Sequence, residues 1–155
     1  MKKKLLIFIP LALLLLAFVL YASGCFDRPP QAAADEILLK IRLDLGEDFG
    51  LLVIDHSVDG KSGSGGISNA DKSPLKRDEL LYWSFEKDPN DAAEAAEVSV
   101  RFTVVTEYAD PNFDNIYPEE TMIALEPLSF TARYGETVSI RIEGDRENGY
   151  RAMLE

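Results

Sequence analysis

From Ile37 onward the chain alternates with a period of two. In ILLKIRLDL, residues 37–45, Ile37, Leu39, Ile41, Leu43 and Leu45 fall on one side, and Lys40, Arg42 and Asp44 fall on the other. That spacing predicts a strand with one buried face. After a turn over Gly46–Gly50, LLVIDHSV at 51–58 predicts a second strand, and residues 59–79 read as a long polar loop. LLYWSFE at 80–86 places Leu81, Trp83 and Phe85 together, with Trp83 as a candidate buried aromatic of the core. The segment EVSVRFTVVTEY, 97–108, shows the clearest alternation, with Val98, Val100, Phe102 and Val104 inward and Ser99, Arg101 and Thr103 outward. Strand composition returns at 122–126, 128–134, 137–143 and 149–155.

One segment breaks the pattern. Asp88-Pro89-Asn90-Asp91 followed by AAEAAE predicts a short crossover helix, with Asp88 as its N-cap and Pro89 in its first turn. The final two strands test register. Asn148-Gly149 invites a two-residue turn, which would pair Glu143 with Leu154 and set charge beside the core. A five-residue loop, Gly144–Asn148, instead pairs Ile142 with Tyr150, Ile140 with Ala152 and Val138 with Leu154. Burial of one face sets register more strongly than a local turn preference, so the longer loop is expected. Short strands in this number, with one short helix, predict an all-β fold: an antiparallel β-sandwich of immunoglobulin-like architecture over residues 37–155. The cysteine pair of immunoglobulin domains is absent.

The N-terminus has a different texture. Lys2, Lys3 and Lys4 precede an almost wholly apolar run from Leu5 to Leu20, the layout of an export signal. Ala22-Ser23-Gly24 follow, and then Cys25, the single cysteine. This stretch resembles the lipobox of bacterial lipoproteins, with Ala22 where leucine is usual. The resemblance implies a signal peptide over residues 1–24, cleavage between Gly24 and Cys25, and lipidation of Cys25. It covers residues 1–25 only. Each buried methylene of such an anchor contributes roughly 0.8 kcal/mol, and two or more acyl chains hold where one does not. The competing account is an uncleaved helix from Leu5 to Ala22, long enough to span a bilayer but interrupted by Pro10. Either account predicts a cell-membrane protein whose folded part faces the extracytoplasmic side. Residues 25–36 then carry the anchor and a linker stiffened by Pro29-Pro30. About ten linker residues reach at most about 35 Å, which keeps the domain near its membrane. Farther along, GGISNADKSPL resembles uncharacterised lipoproteins of Gram-positive bacteria, a resemblance that implies no activity.

Charge narrows the partners. The chain carries 16 Lys+Arg against 27 Asp+Glu, a net charge of −11. Without Lys2, Lys3 and Lys4 the cations fall to 13, and the exported part carries −14. Such a surface repels nucleic acid, which is excluded as a partner. A protein or glycan partner of the envelope is expected, with the membrane engaged through Cys25.

Candidate chemistry is sparse. Gly60-Lys61-Ser62 has the ending of a phosphate-binding loop, but Asp55 stands where that loop needs glycine, and Gly/Ser-rich chain follows in place of a helix. Asp55-His56-Ser57 holds three catalytic residue types, yet on a strand His56 points away from both neighbours, so no triad forms. His56, the single histidine, reads as an ordinary strand residue. DHSVDG, 55–60, starts like a calcium loop but reaches Gly66 where the bidentate Glu belongs. DPNFDNIYPEE, 110–120, fits calcium better. Asp110, Asn112 and Asp114 supply oxygens at the first, third and fifth positions, and Glu119 and Glu120 follow as further acidic ligands, although the twelfth position itself is Thr121. An acidic, Pro-bounded loop on an acidic protein explains the same residues without a metal. Paired carboxylates such as Asp110 with Glu119 or Glu120 could serve a hydrolase, although loop spacing fixes no carboxylate separation. Tyr82, Tyr108, Tyr117, Tyr134 and Tyr150 sit at strand ends or outward positions, where tyrosine serves recognition or edge packing. The expectation is a non-catalytic binding or structural module without a cofactor, a calcium-dependent recognition module being the alternative and an envelope hydrolase the weaker one.

Overall fold

The computed structural model describes residues 29–107 and 118–155. Among the described residues nine strands form in chain order: β1 (Glu36–Leu45), β2 (Leu51–Val58), β3 (Lys61–Ile67), β4 (Leu80–Glu86), β5 (Ala95–Val105), β6 (Met122–Ala124), β7 (Leu128–Arg133), β8 (Thr137–Asp145) and β9 (Gly149–Leu154). They make two sheets, one ordered β4-β1-β8-β9, the other β3-β2-β5 with β6 and β7 both paired to β5. The core lies between them. Ile37, Leu39, Ile41 and Leu43 of β1 meet Leu52 and Ile54 of β2 and Val98, Val100, Phe102 and Val104 of β5 in one buried cluster with Ile140 and Ile142 of β8. These are the positions that the two-residue period places on one face. Burying each such side chain stabilises the fold by about 1.5–3 kcal/mol relative to exposing it.

Four expectations need correction. The pairing is not wholly antiparallel, because β1 runs parallel to β8, with Leu39 opposite Val138 and Ile41 opposite Ile140. The crossover helix does not form, and a single 3₁₀ turn, Glu119–Thr121, is the only helical element among the described residues. Asp88 and Asp91 spend their carboxylates on local turns. Asp88 accepts the Asn90 amide at 3.0 Å, and Asp91 accepts the Ala93 amide at 2.9 Å. Ala95 and Ala96 are already in β5, opposite Arg133 and Ala132, with Ala96 buried. A helix this short cannot compete with a sheet ladder that also fills the core.

The third correction concerns residues 59–79, whose first part is β3 rather than loop. Asp59 and Gly60 have φ of 48° and 80°, the conformation of a two-residue hairpin turn, and Lys61 to Ile67 pair with Val58 to Leu52 without interruption. The fourth concerns the last hairpin. Ile142 pairs with Ala152 and Ile140 with Leu154, two residues from the expected register. The loop shrinks to residues 146–148 because Asp145 collects the amides of Glu147 and Asn148, at 2.9 and 2.7 Å. Gly144 and Gly149, with φ of 114° and 84°, make the close approach that this tighter turn needs. A shift of two keeps every side chain on its face, so the burial argument is satisfied by either register.

The start of the domain is held by main-chain bonds. Glu36 donates to the Ala33 carbonyl at 3.1 Å, and Lys87 donates to that of Asp35 at 2.8 Å.

Candidate functional site

The outer face of the five-stranded sheet carries a polar furrow. Its floor is a row of serines, one per strand: Ser62 of β3 is opposite Ser57 of β2, Ser57 is opposite Ser99 of β5, and Ser99 is opposite Ser129 of β7. Each lies on the polar phase of its strand, and the register brings the four into line. The neighbouring row on one side holds Ser64, Asp55 and Arg101, and the other holds Glu97 and Thr131. Rows are about 7 Å apart and strands about 4.8 Å apart, so short serines between longer side chains leave a trough about 14 Å long across the strands. Two contiguous hollows result, sharing Ser57 and Ser99. One, of about 660 Å³, is walled by Asp55, Ser62, Ser64, Arg101 and Pro127. The other, of about 400 Å³, is walled by Gly60, Glu97, Ser129 and Thr131.

The furrow can bind by hydrogen bonding and charge. Ser64 donates to Asp55 Oδ1 at 2.6 Å, which fixes that carboxylate at the wall. Arg101 has no ion-pair partner among the described residues, so its planar fork of donors is available. The serine hydroxyls both donate and accept; Ser129 approaches Ser99 at 3.4 Å. At the turn end of the hairpin, Lys61 is bonded to Asp88 at 2.8 Å. That bond, with the Asn90 amide, holds the Asp88 carboxyl down at about 2, and it raises the Lys61 ammonium in turn.

His56 faces the other way, into the space between the sheets, with its ring 4.9 Å from Phe85 and 6.2 Å from Trp83. It lies against Gly63, as Trp83 lies against Gly65: a Cβ on Gly63 would come within 2.6 Å of His56 Nε2, and one on Gly65 within 2.4 Å of Trp83 Cη2. The glycines of β3 are therefore seats for two rings. His56 Nδ1 and Trp83 Nε1 are both buried without a hydrogen-bond partner among the described residues.

The structure separates the residues that the sequence grouped. Asp55, Ser57 and Asp59 do not converge on a cation. Asp55 is bonded to Ser64, and Asp59 accepts the Glu97 amide at 2.8 Å within the hairpin turn. Gly60-Lys61-Ser62 are that turn and the start of an edge strand. Gly24, Cys25, Asp110, Asn112 and Asp114 lie outside the described residues, as do Tyr108 and Tyr117. Glu120 is exposed in the 3₁₀ turn, and among the described residues no three acidic, histidine or cysteine side chains are grouped to hold a metal. The remaining tyrosines divide. Tyr82 is half-buried opposite Lys40, Tyr134 lies 5.2 Å beneath the Lys87 ammonium, and Tyr150 donates to Glu47. Burial, then the Glu47 bond, push the Tyr150 phenol above its ordinary range. The serine row went unread because it exists only across strands; its one sequence trace is the Ser-Gly-Ser alternation at 62–64.

No protein-family model matches this chain, and no curated protein matches it. A solved structure described as "Crystal Structure of Gram Negative Toxin" aligns with 79% of this chain at 9% identity and a TM-score of 0.35. The alignment spans 23% of that longer chain, and a likeness at this level carries no argument. Among the described residues no helix is long and apolar enough to cross a membrane.

Proposed function

We propose that this chain is a non-catalytic binding module of the bacterial envelope, an immunoglobulin-like sandwich held at the extracytoplasmic face of the cell membrane by a lipid on Cys25. The observation that carries the binding reading is the furrow. It gathers hydroxyls, a fixed carboxylate and an available guanidinium from four strands. Supporting the anchor are the triple lysine, the apolar run and the lone cysteine behind it. The lack of catalysis is supported by His56, which is turned away from Asp55 and Ser57 and packed against Phe85. A protein or glycan with its own polar groups suits such a surface; nucleic acid does not.

Two experiments test this. Labelled fatty acid fed to cells should enter the wild-type chain and not Cys25→Ala; equal labelling would remove the anchor. A photo-crosslinking residue placed at Ser99 or Thr131 in cells should yield an adduct that one at Arg42, on the other sheet, does not. No adduct, or the same adduct from both faces, would remove the furrow as the contact surface.

A further inference from the structure

The outer edge of β3 is an open strand edge. Val58 and Lys61 close the two-residue turn as a hydrogen-bonded pair, and such pairs alternate along an antiparallel ladder. The main-chain N–H and C=O groups of Ser62, Ser64 and Gly66 therefore point away from β2, and among the described residues none has a main-chain partner. Proteins usually guard such edges with charge, proline, a bulge or brevity. β3 has seven residues in unbroken register, no proline and one charged side chain, Lys61, which Asp88 holds. The next six residues, Ser62 to Ile67, carry no charge.

The surroundings select what could pair there. On the outer face, Asp55 lies one strand in from the edge, bonded to Ser64. At the Lys61 end, Asp88 is bonded to Lys61 and Asp59 forms the turn. On the inner face, Gly63 and Gly65 add no side chain, so the rings of His56 and the half-buried Trp83 are the nearest bulk. A strand laid against β3 would meet the Asp55 carboxylate on one face and an indole on the other. A second copy of this acidic chain offers the wrong charge.

We propose that β3 accepts an extended polypeptide segment of alternating basic and apolar residues as an added strand. Its main chain would bond to Ser62, Ser64 and Gly66, its basic side chains would face Asp55, and its apolar ones would cover Trp83. This rests on the reading of the five-stranded sheet as the contact face, and it names the ligand class. Main-chain bonding gives such pairing its affinity, and alternate side chains give it specificity.

The test is hydrogen–deuterium exchange on the full chain in non-ionic detergent. The probes are a short peptide alternating lysine and valine, the same peptide N-methylated on alternate amides, and a glutamate-for-lysine version. The lysine peptide should slow exchange in segment 61–67, and N-methylation should weaken it by about tenfold or more without changing its charge. The glutamate version should not protect. Ser64→Pro, which removes one outward donor at a position where an edge strand tolerates proline, should abolish protection with little change in melting temperature. Equal binding of the N-methylated peptide would overturn the proposal, as would no protection with any peptide. Protection of 61–67 without peptide, together with a concentration-dependent dimer, would also overturn it by making a second copy the occupant. Protection confined to β5 and β7 would overturn strand addition and leave the furrow reading standing; no protection anywhere on this sheet would count against both.

Discussion

Gly65→Ala probes whether the glycines of β3 are seats for rings or merely loose chain. A Cβ at this position would stand 2.4 Å from Trp83 Cη2 and 3.0 Å from Cζ2. Carbon atoms rest at about 3.5–4.0 Å, so the indole would have to move by about 1 Å. It has little room, because His56 lies beside it at 6.2 Å between centroids and the ring packs on the core cluster. Overfilling a packed site costs about 1–3 kcal/mol. Replacing glycine also removes freedom from the unfolded chain, which returns about 0.4–1 kcal/mol. The net expectation is a loss of about 0.5–2 kcal/mol, a drop in Tm of about 2–8 °C for a domain this size. Urea and thermal melts of Gly65→Ala, Trp83→Leu and the double variant form the cycle. With the indole gone, the alanine should be neutral or stabilising, a coupling of about 1–3 kcal/mol. A stabilising Gly65→Ala in the wild-type background would refute the reasoning. So would a cost that persists beside Trp83→Leu.

Other outcomes follow from the same geometry. Gly144→Ala should cost more than Gly60→Ala by about 2 kcal/mol or more in urea melts: both have positive φ, but a Cβ at Gly144 would lie 2.1 Å from the Gly149 carbonyl oxygen, whereas Gly60 faces open space. A carbon-detected NMR titration should place Asp88 near 2, and Lys61→Met should raise it toward the ordinary 3.8. Since the folded-state value is the lower one, the pair's contribution is present above pH 3.8 and fades as pH falls toward 2; a titration unmoved by Lys61→Met would contradict the assignment. If loop 110–120 binds Ca²⁺ with a dissociation constant near 0.1–1 mM, then about 10 mM CaCl₂ should stabilise the fold by roughly 1.4–2.7 kcal/mol. Asp114→Ala should abolish that shift, and superimposable melts with calcium and with EDTA would remove the metal. Phe102→Ala, at a fully buried central position, should cost about 3–5 kcal/mol.

The strands were legible wherever one face is buried. Most of β1, β4 and β5 alternates in sequence as in the structure, since a period of two and a core on one side are the same statement, although Leu38, Thr103 and Val105 are buried on the other phase as well. β3 was hidden because its central inward positions, Gly63 and Gly65, carry no hydrophobic signal and only Ile67 at its end does. The Asp59-Gly60 pair that begins it is a strong hairpin signal, masked by the Gly/Ser run that follows. Ala95 and Ala96 misled in the opposite sense, because alanine favours a helix in isolation while the ladder to β7 decides. Of the candidate site, the position of His56 on β2 is legible in the alternation, but its seat between the sheets against Phe85 is not. The furrow was not legible. Ser57, Ser62, Ser99 and Ser129 are unremarkable one at a time, and only strand order and register put them in line.

The parallel partnership of β1 with β8 bears on how the domain carries load. β1 is the first strand of the domain and sits inside its sheet, flanked by β4 along Glu36–Arg42 and by β8 along Leu38–Leu45. Tension entering from the N-terminal side is directed along β1 itself. The bonds on both flanks then resist together, sheared as a set rather than peeled in sequence. A pull along β1 would therefore load the β4 and β8 ladders at the same time, so the strand would leave in one cooperative step and not by fraying from one edge.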